Sequence, residues 1–524
     1  MAATDSDNKL RFELKIQSRQ EDKFFVTDVQ GSEAISEPYW FKIIFASNNS
    51  NLQADELLLQ SVMLKIFTSD ADQYTQYSGL IFEFSMIKRL NDYVLYQIEF
   101  RPKLWKLSFN RITDIYCEEK TITEIIAKKL LESGITTEHF EQRLKDPSVY
   151  RKRSFICQFY ETDLNFISRY MEAEGIYYFF DQTTEFNEKL VMLDYRLGGP
   201  DSKKKLYFFD AQDMPTAMQD NRVTNLSSSK KVIQAKSVMQ DFNFRKANLE
   251  ESFKSEVDVD TKGIGTSMFW GYNLRTTSEL DRLIEVRKEE LLSDQSTVSG
   301  LSTATGLRSG HLISVERHFQ DSLNKDHLLI SIKHRGVQSF SWLNDQNGAA
   351  GSEASRGTTY TNEFYACDGN LQYRAKRKSK WPFVAGTLNG IVDDEGSGKY
   401  AQLNEHGQYK VQLLFDLTSK ETNRGSAWMR MMSPYVGQGH GMAWPLLKGT
   451  EVMIGFMGGD PDQPFILGAV PNSENKNVLN ANNSHLGGFE SSSGNYMVVN
   501  DKDGEQGVHM WTPSGNTHFY IGKF

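Results

Sequence analysis

The sequence predicts a mainly β protein with short helices, on three observations. Apolar and polar residues alternate with period two through much of the first hundred residues, the pattern of half-buried strands. The chain is rich in aromatics and poor in proline, with 33 Phe, 22 Tyr and 8 Trp against 12 Pro, a composition suited to pleated surfaces. Helical patterning is confined to three short segments separated by strands. Hydrophobic residues at 39% and aromatics at 12% exclude a largely disordered chain. At ~100–200 residues per domain, 524 residues give roughly three or four domains.

The elements follow in chain order. Arg11 to Ile16 places Phe12, Leu14 and Ile16 on one face and Arg11, Glu13 and Lys15 on the other. Tyr39 to Phe45 and Val62 to Phe67 read as further strands. Leu80 to Ile87 and Tyr93 to Phe100 flank the turn-like Leu90-Asn91-Asp92 and form a hairpin. Thr121-Ile122-Thr123-Glu124 is a capping box that opens a helix carrying Ile125, Ile126, Leu130 and Leu131, with Gly134 at its end. A second helix starts near Thr162-Asp163, carries Leu164, Phe166, Ile167, Tyr170 and Met171, and stops at Gly175, where the strand Ile176 to Phe180 begins. A third spans Glu279 to Leu292 on Leu280, Leu283, Ile284, Val286 and Leu291.

Residues 344–359 are small, polar and glycine-rich and read as a long surface loop. The basic run 374–380 reads as a solvated linker in preference to an anion-binding patch or an address tag, given the acidic whole. From Pro382 to Asn472 short strands (Lys410 to Phe415, Ala427 to Met432, Glu451 to Met457, Pro464 to Leu467) alternate with Gly- and Asp-rich turns, which predicts a compact β-barrel. Beyond it, Ser493-Gly494-Asn495 and Ser514-Gly515-Asn516 each precede a strand, and Val508 to Trp511 lies between. Repeated short strands with glycine turns suggest a β-solenoid-like element, but about three repeats are needed to bury a continuous core. Other copies of the chain are therefore expected to supply the missing burial. Aligning the two copies puts Tyr496 and Val498 with Thr517, Phe519 and Ile521 on one face. That face, with Val508 and Met510, is expected to point to the shared axis.

Chemistry is sparse. Lys and Arg total 59 against 68 Asp and Glu, a net charge of -9, which disfavours nucleic-acid binding through bulk electrostatics. Cys117, Cys157 and Cys367 are too few and scattered for a disulfide framework or a cysteine zinc site, so buried free thiols are expected. His311, His318, His327 and His334 fit no common metal template and are expected to be surface or half-buried histidines. His509 and His518 lie in the terminal repeat, outside any His-x-His pair. Gly437-Gln438-Gly439-His440-Gly441 superficially matches a dinucleotide loop but lacks its spacing. The acids of Gly458-Gly459-Asp460-Pro461-Asp462-Gln463-Pro464 are read as part of a rigid turn, not as a cation site. No nucleophile elbow, Walker loop or His-Glu-x-x-His occurs. No catalytic residue, cofactor or metal is assigned. The polar N-terminus carries no signal-peptide pattern, and no apolar run nears the ~18 residues of a membrane span.

Several strings occur in order along the chain: Tyr77-Ser78-Gly79-Leu80-Ile81 with Arg101-Pro102-Lys103-Leu104-Trp105, the segment from Gln158 to Tyr178, and, in the barrel, Gly407-Gln408-Tyr409-Lys410-Val411, Trp428-Met429-Arg430, Gly449-Thr450-Glu451-Val452 and Gly459-Asp460-Pro461-Asp462-Gln463-Pro464. Together they resemble the VgrG family of spike proteins from type VI secretion and related contractile injection machines. Gln408 stands where the family usually has Arg. The resemblance implies a first hub β-barrel (1–110), a helix-containing subdomain (111–200), a second hub β-barrel with helices (201–380), an OB-fold barrel (381–472) and a trimeric β-helical spike (473–524). It further implies a homotrimer that seats on a hexameric inner tube, contacts baseplate proteins, takes a PAAR-type tip protein at its C-terminal end and can carry an effector. Nucleic-acid binding and stable membrane insertion are not expected. With about fifty residues past the barrel, no fused effector domain is expected, and the chain is expected to be made in the cytoplasm and ejected by sheath contraction. An envelope-degrading enzyme, or an OB-fold module binding glycan or nucleic acid, is the alternative.

Overall fold

The structure, a computed structural model, describes residues 11–68, 73–117, 119–196, 203–209, 220–247, 254–340, 358–393, 398–415 and 426–522. The chain divides into two compact units, one formed by 1–113, 119–154 and 158–382, the other by 114–118, 155–157 and 383–524. Among the described residues, strand is the commonest regular structure.

Twelve strands of the first unit share one sheet. Its first half comprises β1 (Phe12–Ile16), β2 (Phe25–Ala34), β3 (Glu37–Ser47), β4 (Ser61–Phe67), β5 (Tyr74–Leu90) and β6 (Tyr93–Arg101), laid side by side as β1-β4-β5-β6-β3-β2. The alternation expected of β1 is observed, with Phe12, Leu14 and Ile16 buried. The β5–β6 hairpin turns at Asn91, which is left-handed at φ 44°. β2 then pairs with Asp326–Val337, which begins a second half running through Leu312–Glu316, Lys204–Phe208, Arg222–Lys230, Ser296–Ser302 and Thr359–Asp368. Thr359–Asp368 pairs back onto Asp326–Val337, so the second six strands close into a ring. At the open edge of the first six, Gln338 Oε1 accepts from the backbone N–H groups of Arg11 and Phe12 at 2.6 and 3.0 Å. An exposed edge is an aggregation hazard, and this amide occupies two of its N–H groups. Gly31 is required where the halves meet: a Cβ there would sit 2.3 Å from the ring of Phe41, its cross-strand partner.

A polar network is sealed into that junction. Glu33 Oε1 accepts from Tyr77 Oη at 2.8 Å and meets His334 Nε2 at 3.1 Å, and Glu33 Oε2 takes the Ser309 N–H and O–H at 3.1 and 3.0 Å. Burial alone would raise the Glu33 pKa, but His334, Tyr77 and Ser309 together hold it below the ordinary carboxylate value. His318, His327 and His334 are all buried, against the surface or half-buried placement expected of them. Such placement is tolerable because each ring finds partners: His334 Nδ1 lies 2.7 Å from Tyr360 Oη, His327 Nε2 lies 3.0 Å from Leu323 O, and His318 Nδ1 accepts from Gln320 N–H.

Among the described residues, this unit holds the α-helices α1 (Ala54–Leu57), α2 (Ile122–Glu132), α3 (Asp163–Glu174) and α4 (Thr277–Gln295). The capping box at Thr121 and Glu124 is complete in both directions. α3 is capped by Thr162 and ends on left-handed Gly175 at φ 80°. α4 buries Leu280, Leu283 and Ile284 with Met239 and Leu274, beneath a small sheet of Lys236–Gln240, Lys254–Asp258 and Thr266–Trp270.

The second unit contains a five-stranded barrel, ordered Ser426–Met429, Tyr409–Leu413, Leu388–Val392, Glu451–Phe456 and Pro464–Ala469. It closes where Ile466 N–H bonds Arg430 O and Ile466 O takes the Met432 N–H, both at 2.8 Å. Val392, Val411, Leu413, Met429, Val452, Ile454 and Ile466 are buried in it. A four-stranded antiparallel meander follows: Leu486–Glu490, Tyr496–Asn500, Gly507–Thr512 and Thr517–Gly522. Almost all of the loop expected at 344–359 lies outside the described residues.

Candidate functional site

The segment from Gln158 to Tyr178 holds charged side chains where a core would ordinarily be apolar. Arg169 lies on the buried side of α3, 2% exposed, and forks onto Glu161 through Nε at 2.9 Å and Nη2 at 2.7 Å. Its guanidinium stacks on Tyr170 and Trp381 at 4.3 and 4.2 Å, a planar arrangement that Lys could not reproduce. Lys129 of α2, also 2% exposed, pairs with Asp163 at 3.2 Å, and Gln158 Nε2 donates to the same carboxylate at 2.8 Å. Glu174 is clamped by Arg282 and by Arg153 at 2.8 Å. Burial would raise its pKa, but these two guanidinium groups hold it down to about 2. Arg287 of α4 donates to the carbonyls of Glu172 and Ala173, and Arg374 to that of Gly175. These are the end of α3, where helix carbonyls lack internal partners and the dipole favours cations.

The basic run is neither a solvated linker nor a free anion site. Arg374 pairs with Glu289, Lys376 with Asp294, Arg377 with Glu290 and Lys378 with Glu37. Ser379 N–H and Oγ both donate to Glu172. This stretch is thus an ionic strap across α3 and α4. Near-surface pairs add little individually, but the buried members fix the register of the strap.

In the second unit the acidic turn keeps its oxygens on the protein. Asp460 Oδ1 accepts from Asp462 N–H at 3.1 Å and Oδ2 from Gln463 Nε2 at 2.8 Å, while Asp462 Oδ1 accepts from Cys157 N–H at 2.8 Å. Gly459 is left-handed at φ 74°, and a Cβ there would meet the Phe383 ring at 2.1 Å. Gly437 and His440 form a two-residue hairpin, with no phosphate-binding geometry. Cys157 and Cys367 are buried thiols, and burial pushes Cys367 up to about 12. Among the described residues no group of three or more His, Cys, Asp or Glu could hold a metal ion.

The register of the terminal meander separates the seven residues expected on one face. Tyr496 stands opposite Trp511 and Val498 opposite His509. His509 in turn faces Tyr520, and Trp511 faces His518. Directly opposed residues share a face, so Tyr496 and Val498 lie with the histidines. Val508, Met510, Thr517, Phe519 and Ile521 lie on the other face, with Met497 and Val499. Strand Tyr496–Asn500 is offset by one residue from the repeat alignment, which is all that is needed to exchange faces. On the polar face a hydrogen-bonded chain links Tyr496 Oη to His509 Nδ1, His509 Nε2 to His518 Nδ1, and His518 Nε2 to Asn516 Oδ1, each at 3.0 Å. Sequence spacing gave no hint of this chain, because the turn at 513–516 sets which side chains meet. On the apolar face Phe519 and Ile521 are 57% and 55% exposed, an unusual cost for a sheet in water.

A two-part hub sheet, an OB-like barrel and a strand meander with an uncovered apolar face define the class of contractile-tail hub proteins. The profile of the phage tail baseplate hub (GPD) family matches residues 32–340, and that of the type VI secretion system/phage-baseplate injector OB domain matches 400–470. The chain belongs to the phage tail baseplate hub family. It is 27% identical to the type VI secretion system spike protein VgrG5 of Pseudomonas aeruginosa, over 90% of this chain and 58% of that one. It is 24% identical to the actin cross-linking toxin VgrG1 of Vibrio cholerae, over 96% of this chain and 46% of the toxin. The chain spans about half the length of the curated relatives it matches. Among solved structures, an E. coli type VI secretion component described as similar to the T4 phage tail proteins gp27 and gp5 superposes with a TM-score of 0.63 at 22% identity, over 87% of this chain and all of that one. A Francisella PdpA–VgrG complex superposes at 0.62 and 10% identity, over 98% of this chain and 88% of that chain.

Proposed function

We propose that this chain is the hub and central spike of a contractile injection machine, working as a homotrimer. The observation that carries the reading is the combination in one chain of a hub sheet made of two six-stranded halves with a meander whose apolar face has no cover of its own. Three chains would present six such halves, matching a hexameric tube. Of the seven candidate axis residues, Val508, Met510, Thr517, Phe519 and Ile521 share one face and Tyr496 and Val498 the opposite one, and on this reading the first face turns to the other copies.

The mechanism is mechanical. Sheath contraction drives the trimer through an envelope, and stiffness comes from buried ion pairs and strand pairing rather than from any bond-making step. A tip protein of the PAAR type at the C-terminal end, an inner-tube protein and baseplate proteins at the hub, and an effector are the partners this reading expects. The structure of a relative with PdpA supports a cargo role. No described helix is long and apolar enough to cross a membrane. Deleting the chain from producing cells tests the reading. Contraction-dependent release of tube protein is expected to stop and to return with the intact chain, and release that continues unchanged would refute it.

A further inference from the structure

The barrel of the second unit carries a hairpin arm that packs on little of its own chain. Seventeen residues, Met431–Leu447, contain no Asp, Glu, Lys or Arg in a protein that is 24% charged. At that frequency about four would occur. The arm is nevertheless on the surface, with Val436 77% and Tyr435 59% exposed, and Met432, Met442 and Trp444 exposed as well. Its shape is fixed in advance. Met442 N–H bonds Tyr435 O at 2.9 Å, and Ser433 Oγ reaches the carbonyls of Met442 and Tyr435 at 2.8 and 3.0 Å. The turn passes through left-handed Gly439, and Tyr435 packs on His440 at 5.4 Å. An uncharged, apolar, preorganised and exposed segment has the composition of an interface core.

Two features say what covers it. At the root of the arm, Trp444 packs on Phe489 at 4.5 Å, and Phe489 lies on the same sheet face as Met510, Phe519 and Ile521. The arm therefore continues the apolar surface already assigned to contact between copies. That surface is uncharged too: Gln506–Gly522 likewise holds no Asp, Glu, Lys or Arg. Copies of a chain with net charge -9 repel one another, so contact through neutral segments is the arrangement that self-association favours.

We propose that the arm is an inter-subunit clasp, with Tyr435 and Val436 of each chain buried against a neighbouring copy of the same chain. The inference rests on the homotrimer reading. An arm meeting a different patch on the next copy makes a heterologous contact, which closes into a ring when the rotation allows.

The test uses the full chain. Sedimentation equilibrium of the wild type, Tyr435→Lys, Val436→Lys and, as a control on the first unit, the exposed Phe319→Lys is run over a concentration series. Both arm variants are expected to weaken association at least a hundredfold, with hub melting unchanged and Phe319→Lys associating like the wild type. Arm variants that associate as tightly as the wild type overturn the clasp and leave the trimer standing, whereas a wild type that stays monomeric overturns both. Should the arm variants misfold, hydrogen exchange on the wild type decides. Slowing of exchange across 435–442 on association supports the clasp, and unchanged exchange there overturns it.

Discussion

Replacing Arg169 by Met in the hub removes a charge and little volume, so the cost reports on the ion pair more than on a cavity. Arg169 is 2% exposed, and its guanidinium forks onto Glu161 at 2.9 and 2.7 Å. Removing one partner of a buried pair costs about 3–5 kcal/mol, because the other charge stays behind without compensation. Glu161 would keep the Asn165 amide, which offsets part of that loss. Contacts with Tyr170 and Trp381 add about 0.5–2 kcal/mol of cation–π attraction that Met cannot supply. A loss of roughly 3–5 kcal/mol in hub stability is therefore expected, read from urea midpoints at unchanged slope. The double variant Arg169→Met, Glu161→Gln is expected to lose less than the two single losses added together, by about 2 kcal/mol, since it leaves no orphaned charge. A loss below about 1 kcal/mol for Arg169→Met, or strict additivity in the cycle, would refute the reasoning.

Other outcomes follow from the same structure. Burial pushes Glu188 up to about 7 despite Lys103 beside it, so its folded pKa lies above the unfolded one. Its contribution is present below about pH 4.5 and is lost as pH rises to about 7. Urea midpoints of Glu188→Gln against wild type should show the variant gaining relative stability from pH 5 to pH 8, and a relative loss would contradict the assignment. Glu174, held down to about 2 by Arg282 and Arg153 against the effect of burial, has the opposite sign. Its contribution is lost as pH falls from about 4.5 towards 2, so Glu174→Gln should cost stability at pH 7 and little at pH 2 in the same assay. Gly459→Ala should destabilise the barrel by roughly 2 kcal/mol or more, through left-handed strain and collision with Phe383. A melting temperature equal to wild type would contradict that contact. Phe519→Asp, on the exposed apolar face, should weaken association between copies without altering the far-ultraviolet dichroism of the monomer, and unchanged association would remove that face from the interface.

Local structure was legible where the signal is local. The alternation of β1, the capping box at Thr121 and the stop at Gly175 are written within a few residues and were read in place. Pairing was less legible: β2 meets Asp326–Val337 across some three hundred residues, and no short-range pattern encodes such a partner. Strand Phe25–Ala34 is not legible in the sequence, because Asp28, Gln30 and Ser32 interrupt its apolar run. The buried ions were the least legible. Arg169, Lys129 and Arg287 look like surface residues in sequence, and only the fold brings each one the carboxylate or carbonyl oxygens that make its burial affordable. For the same reason the basic run read as a solvated linker. In the terminal meander, composition identified the strands, while a one-residue offset divided the candidate face in two.

Sedimentation velocity with light scattering on the intact chain at micromolar concentration tests the central claim most directly. A stable species of three times the 59.9 kDa chain mass is expected, and a persistent species of one chain mass would contradict it.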